Sequence, residues 1–344
     1  MRHPPALRIT WVNPDRPRLA ETGMTADRAS VRLRYLEPAS CLVAWGHDVR
    51  DVCLFDHASW ARDADFYRRD VFVFGKVFGR VVPVLERMRQ AGGRVVVDVC
   101  DNVFAPPEDG LMSLYDELLP HADAIVASTP ELGHVIAARL AGQPPIPIHA
   151  IPDCTEGAAA PAVFHPAGLS LGLLWFGYPN NLPSLDHAFA QLAPLAAQYR
   201  VTITIVTAWT AETRRLFPSG RAGFVIRQID WSPTALAYEM DQCDIVVIPS
   251  EAGPAQNTKT ANRVITGLWS GRFVVAADIP SYREFAPFAA IGNDLLAGIR
   301  QTVADPDRTI ARIERGQAHI AQHYRPAVIA ARWQAALSGS LAPP

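Results

Sequence analysis

Short runs of β-branched and apolar residues recur along this chain, separated by segments of helix length, and that alternation constrains the fold more than any other feature. It is the pattern of βαβ units, which close into a mostly parallel sheet with helices on both faces. The runs fall into two sets. The first covers residues 7–12, 49–55, 71–74, 95–99, 124–127 and 148–151; the second covers 171–176, 201–206, 224–227, 245–248 and 273–276, with 288–291 as a further candidate. Many are apolar without alternation, as strands covered on both faces require. Residues 154–169 between the sets are rich in Ala, Pro and Gly and carry no periodicity, so they read as a connection. A chain of 344 residues is long enough for two domains with full cores. The reading is therefore an N-terminal Rossmann-like domain over residues 1–153, a linker over 154–169, a second Rossmann-like domain over 170–319, and a C-terminal helix and tail over 320–344 that return toward the first domain. The fold class is α/β, with two doubly wound domains facing each other across a cleft. In such sheets ligands bind beyond the carboxyl ends of the strands, which directs attention to residues just after each run.

Composition removes several classes of function. Apolar residues make up 49% of the chain and charged ones 19%, which excludes a disordered solvating chain. A net charge of −2 supplies no global field toward nucleic acid, and no nucleic-acid partner is expected. The five cysteines, Cys41, Cys53, Cys100, Cys154 and Cys243, show neither a CxxC pair nor a metal-like spacing with histidine, so most of them read as buried thiols in a reducing compartment. The start, Met1-Arg2-His3-Pro4-Pro5, lacks a secretory apolar stretch, and no window approaches the ~20 apolar residues of a membrane span. A cytoplasmic protein is expected, with peripheral contact at the inner face of a membrane left open. Neither an HExxH pair, a GxSxG elbow nor a GxxxxGK[ST] loop is present. Asp63-Ala64-Asp65 and Asp305-Pro306-Asp307 have a D-x-D shape without a supporting context. No metal site is expected.

One bias carries information. Of 32 basic residues only Lys76 and Lys259 are lysines, so each marks a place where a compact ammonium is a candidate requirement. Lys259 falls in the most informative stretch, residues 243–285, which reads as strand, polar loop, helix, glycine, strand. Asn257, Thr258, Lys259, Thr260, Asn262 and Arg263 stand at the start of that helix, where free backbone N–H groups and the helix dipole favour phosphate. The same residues also suit a plain helix cap with a solvated lysine.

This stretch resembles the corresponding part of GT-B glycosyltransferases of the glycogen-synthase-like, family-4-like group, through Pro249-Ser250 and Gly271-Arg272-Phe273-Val274-Val275-Ala276. Leu174-Trp175-Phe176-Gly177-Tyr178-Pro179-Asn180-Asn181 resembles the first strand and glycine turn of their donor domains, and Ile229-Asp230-Trp231-Ser232 the loop against the nucleotide base. In the first half, Asp98-Val99-Cys100-Asp101-Asn102, the stretch from Ala122 to Leu132, and Ile151-Pro152-Asp153 extend the resemblance over nearly the whole chain. It departs at one point: the group's two glutamates, eight positions apart, are Thr258 and Thr266 here, which marks a divergent branch with a K-x-x-N-R pattern.

The resemblance implies transfer of a sugar from a nucleotide-diphosphate sugar to an acceptor hydroxyl in glycan, polysaccharide or glycoconjugate biosynthesis, with no cofactor beyond that donor. The acceptor class, whether glycan, lipid-linked or small molecule, stays open. The donor falls to the second domain and the acceptor to the first. Donor-binding candidates are Gly177, Asn180, Asn181, Ile229, Trp231, Ser250, Asn257, Thr258, Lys259, Thr260, Asn262 and Arg263; Trp231 serves equally as a core plug. Transfer needs charge stabilisation at the leaving diphosphate, which suits Lys259, and an oriented acceptor hydroxyl. Asp98 and Asp101 are the acidic candidates for the second task, although turn and capping chemistry would also place them there. Asn13, Gly23, Lys76 and Asn102 are the acceptor-side candidates, and Arg34 reads by default as a solvated helix arginine. A nucleotide-sugar epimerase and a non-catalytic nucleotide- or sugar-binding protein are the competing readings.

Overall fold

The two sets of apolar runs form two separate sheets in the structure, a computed structural model that describes residues 5–20, 23–60, 62–63, 65–105, 110–166 and 168–339. Unit one comprises Met1–Glu156, Thr258–Thr260 and His323–Pro344; unit two comprises Gly157–Asn257 and Ala261–Gln322. Three residues from the middle of the second half thus pack with unit one, a placement outside the simple division at the linker.

In chain order unit one contains β1 (Arg8–Asn13), a hairpin of β2 (Arg18–Ala20) and β3 (Gly23–Thr25), then β4 (Asp48–Cys53), β5 (Val71–Gly75), β6 (Arg94–Val99), β7 (Ala124–Ala127) and β8 (Ile148–Ala150). The main sheet has the order β4-β1-β5-β6-β7-β8, all parallel. Because the order reverses after β1, its topological switch point lies between β1 and β5. Successive side chains of β5 serve two cores in turn. Phe72 and Phe74 pack with Leu85, Met88, Tyr115 and Leu118 on one face. Val71 and Val73 pack on the other with Trp11, Tyr35, Leu42 and Trp333. Trp333 comes from the last helix, Pro326–Ser338, and meets Trp11 edge-on at 5.4 Å. The helical pattern read as one stretch from residue 320 is therefore two helices, Pro306–His323 and Pro326–Ser338. Pro326 lacks the N–H that would continue the first and begins the second. Gly23, an acceptor-side candidate that lies outside every run read from the sequence, begins β3; three-residue strands fall below the window in which periodicity is readable.

Unit two contains β9 (Ser170–Phe176), β10 (Arg200–Thr207), β11 (Gly220–Arg221), β12 (Phe224–Asp230), β13 (Ile245–Ile248), β14 (Phe273–Ala276) and β15 (Ala290–Ile291). Their order is β11-β12-β10-β9-β13-β14-β15, parallel except for the two-residue edge strand β11. Without that edge, the six parallel strands follow the 3-2-1-4-5-6 order of dinucleotide-binding folds, with the switch point between β9 and β13. The helix Asn262–Trp269 lies against β13 and β14 through Gly267, where a methyl group would come within 2.6 Å of Val274.

Gly271 ends that helix with φ +72°, and the N–H groups of Gly271 and Arg272 close on the carbonyls of Leu268 and Gly267, both at 3.0 Å. Left-handed backbone there favours glycine. Space demands it too, since a Cβ would lie 2.0 Å from the Pro161 carbonyl oxygen. Gly157 shares the left-handed conformation, at φ +63°, but faces open space. Gly271→Ala is therefore expected to destabilise unit two by ~3 kcal/mol or more, from strain and overpacking together. Gly157→Ala is expected to lose about 1 kcal/mol, from the backbone alone. Denaturant titration of both variants checks the difference.

Candidate active site

Asp98, which the sequence offers as an acid at a strand end, lies within β6 and is 3% exposed. Arg34 takes both of its carboxylate oxygens, through Nη2 at 2.6 Å and Nε at 2.8 Å. The third nitrogen, Nη1, donates to Asp153 Oδ1 at 3.0 Å and to the Ile151 carbonyl at 2.9 Å. Arg34 is itself 2% exposed and belongs to a π-helical stretch, Arg32–Leu36, in the first helical region. The default reading of a solvated arginine is thus corrected: its guanidinium is buried and bonded through each of its nitrogens. Desolvation works to lower its pKa, but the carboxylates of Asp98 and Asp153 outweigh it. Burial pushes the Asp98 carboxyl above its ordinary value, an effect that Arg34 offsets only in part.

Asp101 stands in different surroundings. It follows β6 in a turn, keeps 41% of its side-chain surface, and receives Lys76 Nζ on Oδ2 at 2.6 Å. Desolvation works to raise its pKa. The ammonium charges of Lys76 and Lys259, with the Lys76 hydrogen bond, outweigh that and hold the carboxyl below its ordinary range. The pairing therefore adds stability that is complete above the unfolded-state value and is lost as pH falls through the lower folded-state value. Lys76 adopts φ +43°, left-handed backbone that costs a non-glycine residue roughly 1–2 kcal/mol. The preceding Gly75 ends β5, where a methyl group would come within 3.3 Å of Asn13 Oδ1. Asn13 ends the neighbouring β1, is 2% exposed, and leaves Nδ2 without a hydrogen-bond partner among the described residues. Asn13 and Lys76 thus flank the switch point of unit one. Asn102 is buried and its Oδ1 accepts from the Phe104 N–H, a turn role. Gly23 lies in the β2–β3 hairpin.

Lys259 does not lie within a helix start. The helix begins at Asn262 with Ala261 as its N-cap residue, and Thr258 to Thr260 pack with unit one. Thr258 is buried and its carbonyl accepts from Thr129 Oγ1 at 3.1 Å. Thr260 Oγ1 donates to Asp153 Oδ2 at 2.9 Å. These bonds orient the backbone of the segment toward Asp153 and Thr129.

In unit two, Gly177 follows β9 at the switch point. A methyl group on Gly177 would lie 3.3 Å from the Trp175 ring and 3.6 Å from Arg263 Nη1. That nitrogen is buried and has no hydrogen-bond partner among the described residues. Ser250 follows β13, on the other side of the same switch point, and is half-buried. Asn180 and Asn181 form a short turn at the start of the helix Leu182–Leu192. Asn262 Oδ1 accepts from Thr266 Oγ1 at 3.1 Å, while Asn257 is exposed. Trp231 is half-buried rather than part of the core, and its backbone N–H donates to the Thr207 carbonyl. The Ile229 carbonyl accepts the indole N–H of Trp209 at 2.9 Å. Among the described residues no group of three or more His, Cys, Asp or Glu is arranged to hold a metal, and no helix is long and apolar enough to cross a membrane.

No protein-family description and no curated protein sequence matches the chain. Solved structures do. Anabaena HepE, in complex with UDP-glucose, matches with TM-score 0.66 and 12% identity over 97% of this chain and 100% of HepE. A glycosyltransferase from Rickettsia africae matches with TM-score 0.67 and 10% identity over 97% of this chain and 98% of its own. Staphylococcus aureus TarM matches with TM-score 0.58 and 12% identity over 78% of this chain.

The fold is GT-B.

At these identities the likeness carries the architecture alone; this chain spans 54% of TarM. Within the GT-B frame, sequence reasoning missed the partners that organise unit one. Arg34 is one of 30 arginines, and nothing local distinguishes it from its solvated neighbours. Asp153 and Thr129 were legible only as strand exit and helix cap, the latter a role Thr129 does fill by accepting the Leu132 N–H.

Lys76→Gly relieves the left-handed backbone while deleting the ammonium, whereas Lys76→Met deletes the ammonium and keeps the strain. The glycine variant is expected to remain within about 1 kcal/mol of the parent protein and to exceed the methionine variant by about 1 kcal/mol in denaturant titration. Both should raise the Asp101 pKa, read by carboxyl NMR.

Proposed function

We propose that this protein transfers a sugar from a nucleotide-diphosphate sugar to an acceptor hydroxyl. The observation that carries the reading is the buried, unpaired Arg263 nitrogen beside Gly177, at the topological switch point of the unit-two sheet. A guanidinium nitrogen removed from water without an acceptor is costly, and a phosphate oxygen is a strong partner for it. Gly177 allows a ligand to approach the backbone there, and the N-terminus of the helix Asn262–Trp269 adds partial positive charge. The likeness to HepE, which carries UDP-glucose, supports a UDP-sugar as the donor class.

Donor binding falls to Gly177, Asn180, Asn181, Ser250, Asn262 and Arg263, with Trp231 as a wall for the base. Arg263 stabilises the charge that grows on the departing diphosphate. Unit one supplies the acceptor side through Asp101, with Lys76, Asn13 and Asn102 around it. Asp98 has its carboxylate spent on Arg34, so the base role rests on Asp101. A carboxylate held below its ordinary pKa is a weak base. Its work is to orient the acceptor hydroxyl and take the proton late, once bond formation to the sugar has made that proton acidic. Lys259, read from sequence as a diphosphate ligand, serves here through its charge on Asp101. The positions of the missing glutamates hold Thr258 and Thr266, and neither offers a carboxylate.

Titration calorimetry with UDP and uridine, alongside product analysis with UDP-sugars and candidate acceptors, tests this reading. Arg263→Ala is expected to weaken UDP binding about tenfold or more while leaving uridine binding unchanged. Equal loss for both ligands, or no change for UDP, would overturn the donor-site assignment. An altered free nucleotide sugar formed without acceptor would replace transfer with epimerisation, and binding without turnover would replace it with a non-catalytic role. If Asp101 is the base, kcat/KM falls as pH drops through its depressed pKa, and Asp101→Asn removes that acid limb along with most of the turnover.

A further inference from the structure

Two side-chain nitrogens near the carboxyl end of β9 are buried without a hydrogen-bond partner among the described residues. One is Arg263 Nη1, the proposed diphosphate ligand. The other is the indole Nε1 of Trp175, which no step of the proposed transfer uses. Both residues border Gly177. A methyl group there would lie 3.3 and 3.4 Å from Trp175 Cη2 and Cζ2, and 3.6 Å from Arg263 Nη1. Cζ2 is bonded to the ring carbon that carries Nε1, so the N–H stands next to the edge of the indole that meets this methyl-sized space. The backbone of Gly177 offers a ligand nothing further. Its N–H donates to the Val206 carbonyl at 3.2 Å, and its carbonyl accepts from Thr207 Oγ1 at 2.7 Å. A phosphate arriving at this switch point therefore meets side-chain donors where the peptide N–H of a glycine turn is already spent.

Trp175 is 0% exposed and its strand is paired with β10 at Ile205. Packing holds the indole before any ligand arrives, so its N–H loses little freedom on binding. Indole and guanidinium nitrogens are donors only. A pair of them suits an atom that only accepts, and an ionised phosphate oxygen is the strongest such partner. The indole of Trp333 makes the contrast. Its N–H is also without a partner among the described residues, but it lies in the unit-one core, with the Arg34 guanidinium 5.8 Å from the ring centroid and every nitrogen of that arginine bonded. At Trp175 the adjoining arginine still has a nitrogen to give. We propose that the Trp175 indole N–H is a second donor to the diphosphate of the nucleotide sugar, acting beside Arg263 Nη1. This role rests on unit two being the donor side of a sugar transfer. It makes Trp175 a binding residue that adds a fixed neutral dipole to the charge of Arg263 where the leaving diphosphate gains negative charge.

The test uses the full-length chain with nitrogen-15-labelled indoles. The Trp175 signal among the eight tryptophans is the one missing from Trp175→Phe. UDP is expected to move that proton downfield, and uridine to leave it in place. Trp175→Phe is expected to weaken UDP binding about tenfold in titration calorimetry, with uridine binding unchanged. Benzothienylalanine at the same position keeps the bicyclic shape and puts sulfur where the N–H stands. It is expected to give the same loss and supplies the comparison if the phenylalanine variant does not fold. An indole signal unmoved by UDP overturns the proposal, as does full UDP affinity in the benzothienylalanine protein while Arg263→Ala lowers it; either result leaves the donor site standing without Trp175. Equal loss for UDP and uridine assigns Trp175 to packing and overturns the proposal as well. Full UDP affinity in both the benzothienylalanine protein and Arg263→Ala removes the donor-site reading itself.

Discussion

A guanidinium placed in a dry core must find partners for its N–H groups, and in unit one that requirement fixes most of what surrounds Arg34. Its bonds reach Asp98 in β6, the Ile151 carbonyl just after β8, and the Asp153 side chain. Elements far apart in sequence are thereby held in one arrangement around one charge. Such a buried ionic group adds little net stability, because desolvation of each ion consumes much of the Coulombic gain. Breaking it is another matter, since removing one partner leaves an uncompensated charge behind. The group therefore acts through geometry. It leaves Asp153 with one oxygen for Arg34 and one for Thr260, and the position of a segment more than a hundred residues downstream follows from that division.

Two neighbouring carboxylates of unit one illustrate how environment separates roles that sequence cannot. Asp98 and Asp101 lie three positions apart, and both follow or end an apolar run. The strand alternates its side chains between two faces, so Asp98 is directed into the core while Asp101, past the end of the strand, remains partly exposed. Asp98 meets an arginine that is bonded on every nitrogen, and Asp101 meets the single ammonium of Lys76 on one oxygen. A structural charge and an approachable one arise from the same short motif.

The parts of this fold that were legible in the sequence are those written in local patterns. Apolar runs of four to eight residues locate the strands of both sheets, because strands buried on two faces need them. Gly177 and Gly271 were marked through their place at strand and helix ends, and both prove to be positions where a side chain would meet neighbouring atoms. What stayed hidden is of two kinds. Elements too short to show a period, such as the β2–β3 hairpin and the edge strand β11, give no signal. Long-range polar contacts give none either, because the partner is set by the fold and not by sequence spacing. Thr260 and Asp153 are separated by 107 positions, and Arg34 and Asp98 by 64. The placing of Lys259 at the start of the helix, which begins at Asn262, has the same origin, for a polar loop and a helix cap share their residue types.

The scarcity of lysine gains a physical sense from these contacts. With arginine at 30 of 32 basic positions, the chain meets its general need for surface charge with guanidinium groups. One of its two ammoniums, that of Lys76, contacts Asp101, and the charge of the other helps to hold the Asp101 carboxyl below its ordinary range. A guanidinium prefers a planar, bidentate grip on both carboxylate oxygens, as Arg34 shows on Asp98. An ammonium is a compact point charge that contacts one oxygen, as Lys76 does on Asp101 Oδ2. A carboxylate held on one oxygen stays more approachable than one gripped on both. The two kinds of cation therefore divide along the line between holding the fold and keeping an acid accessible, and Lys76 retains its strained backbone on the accessible side.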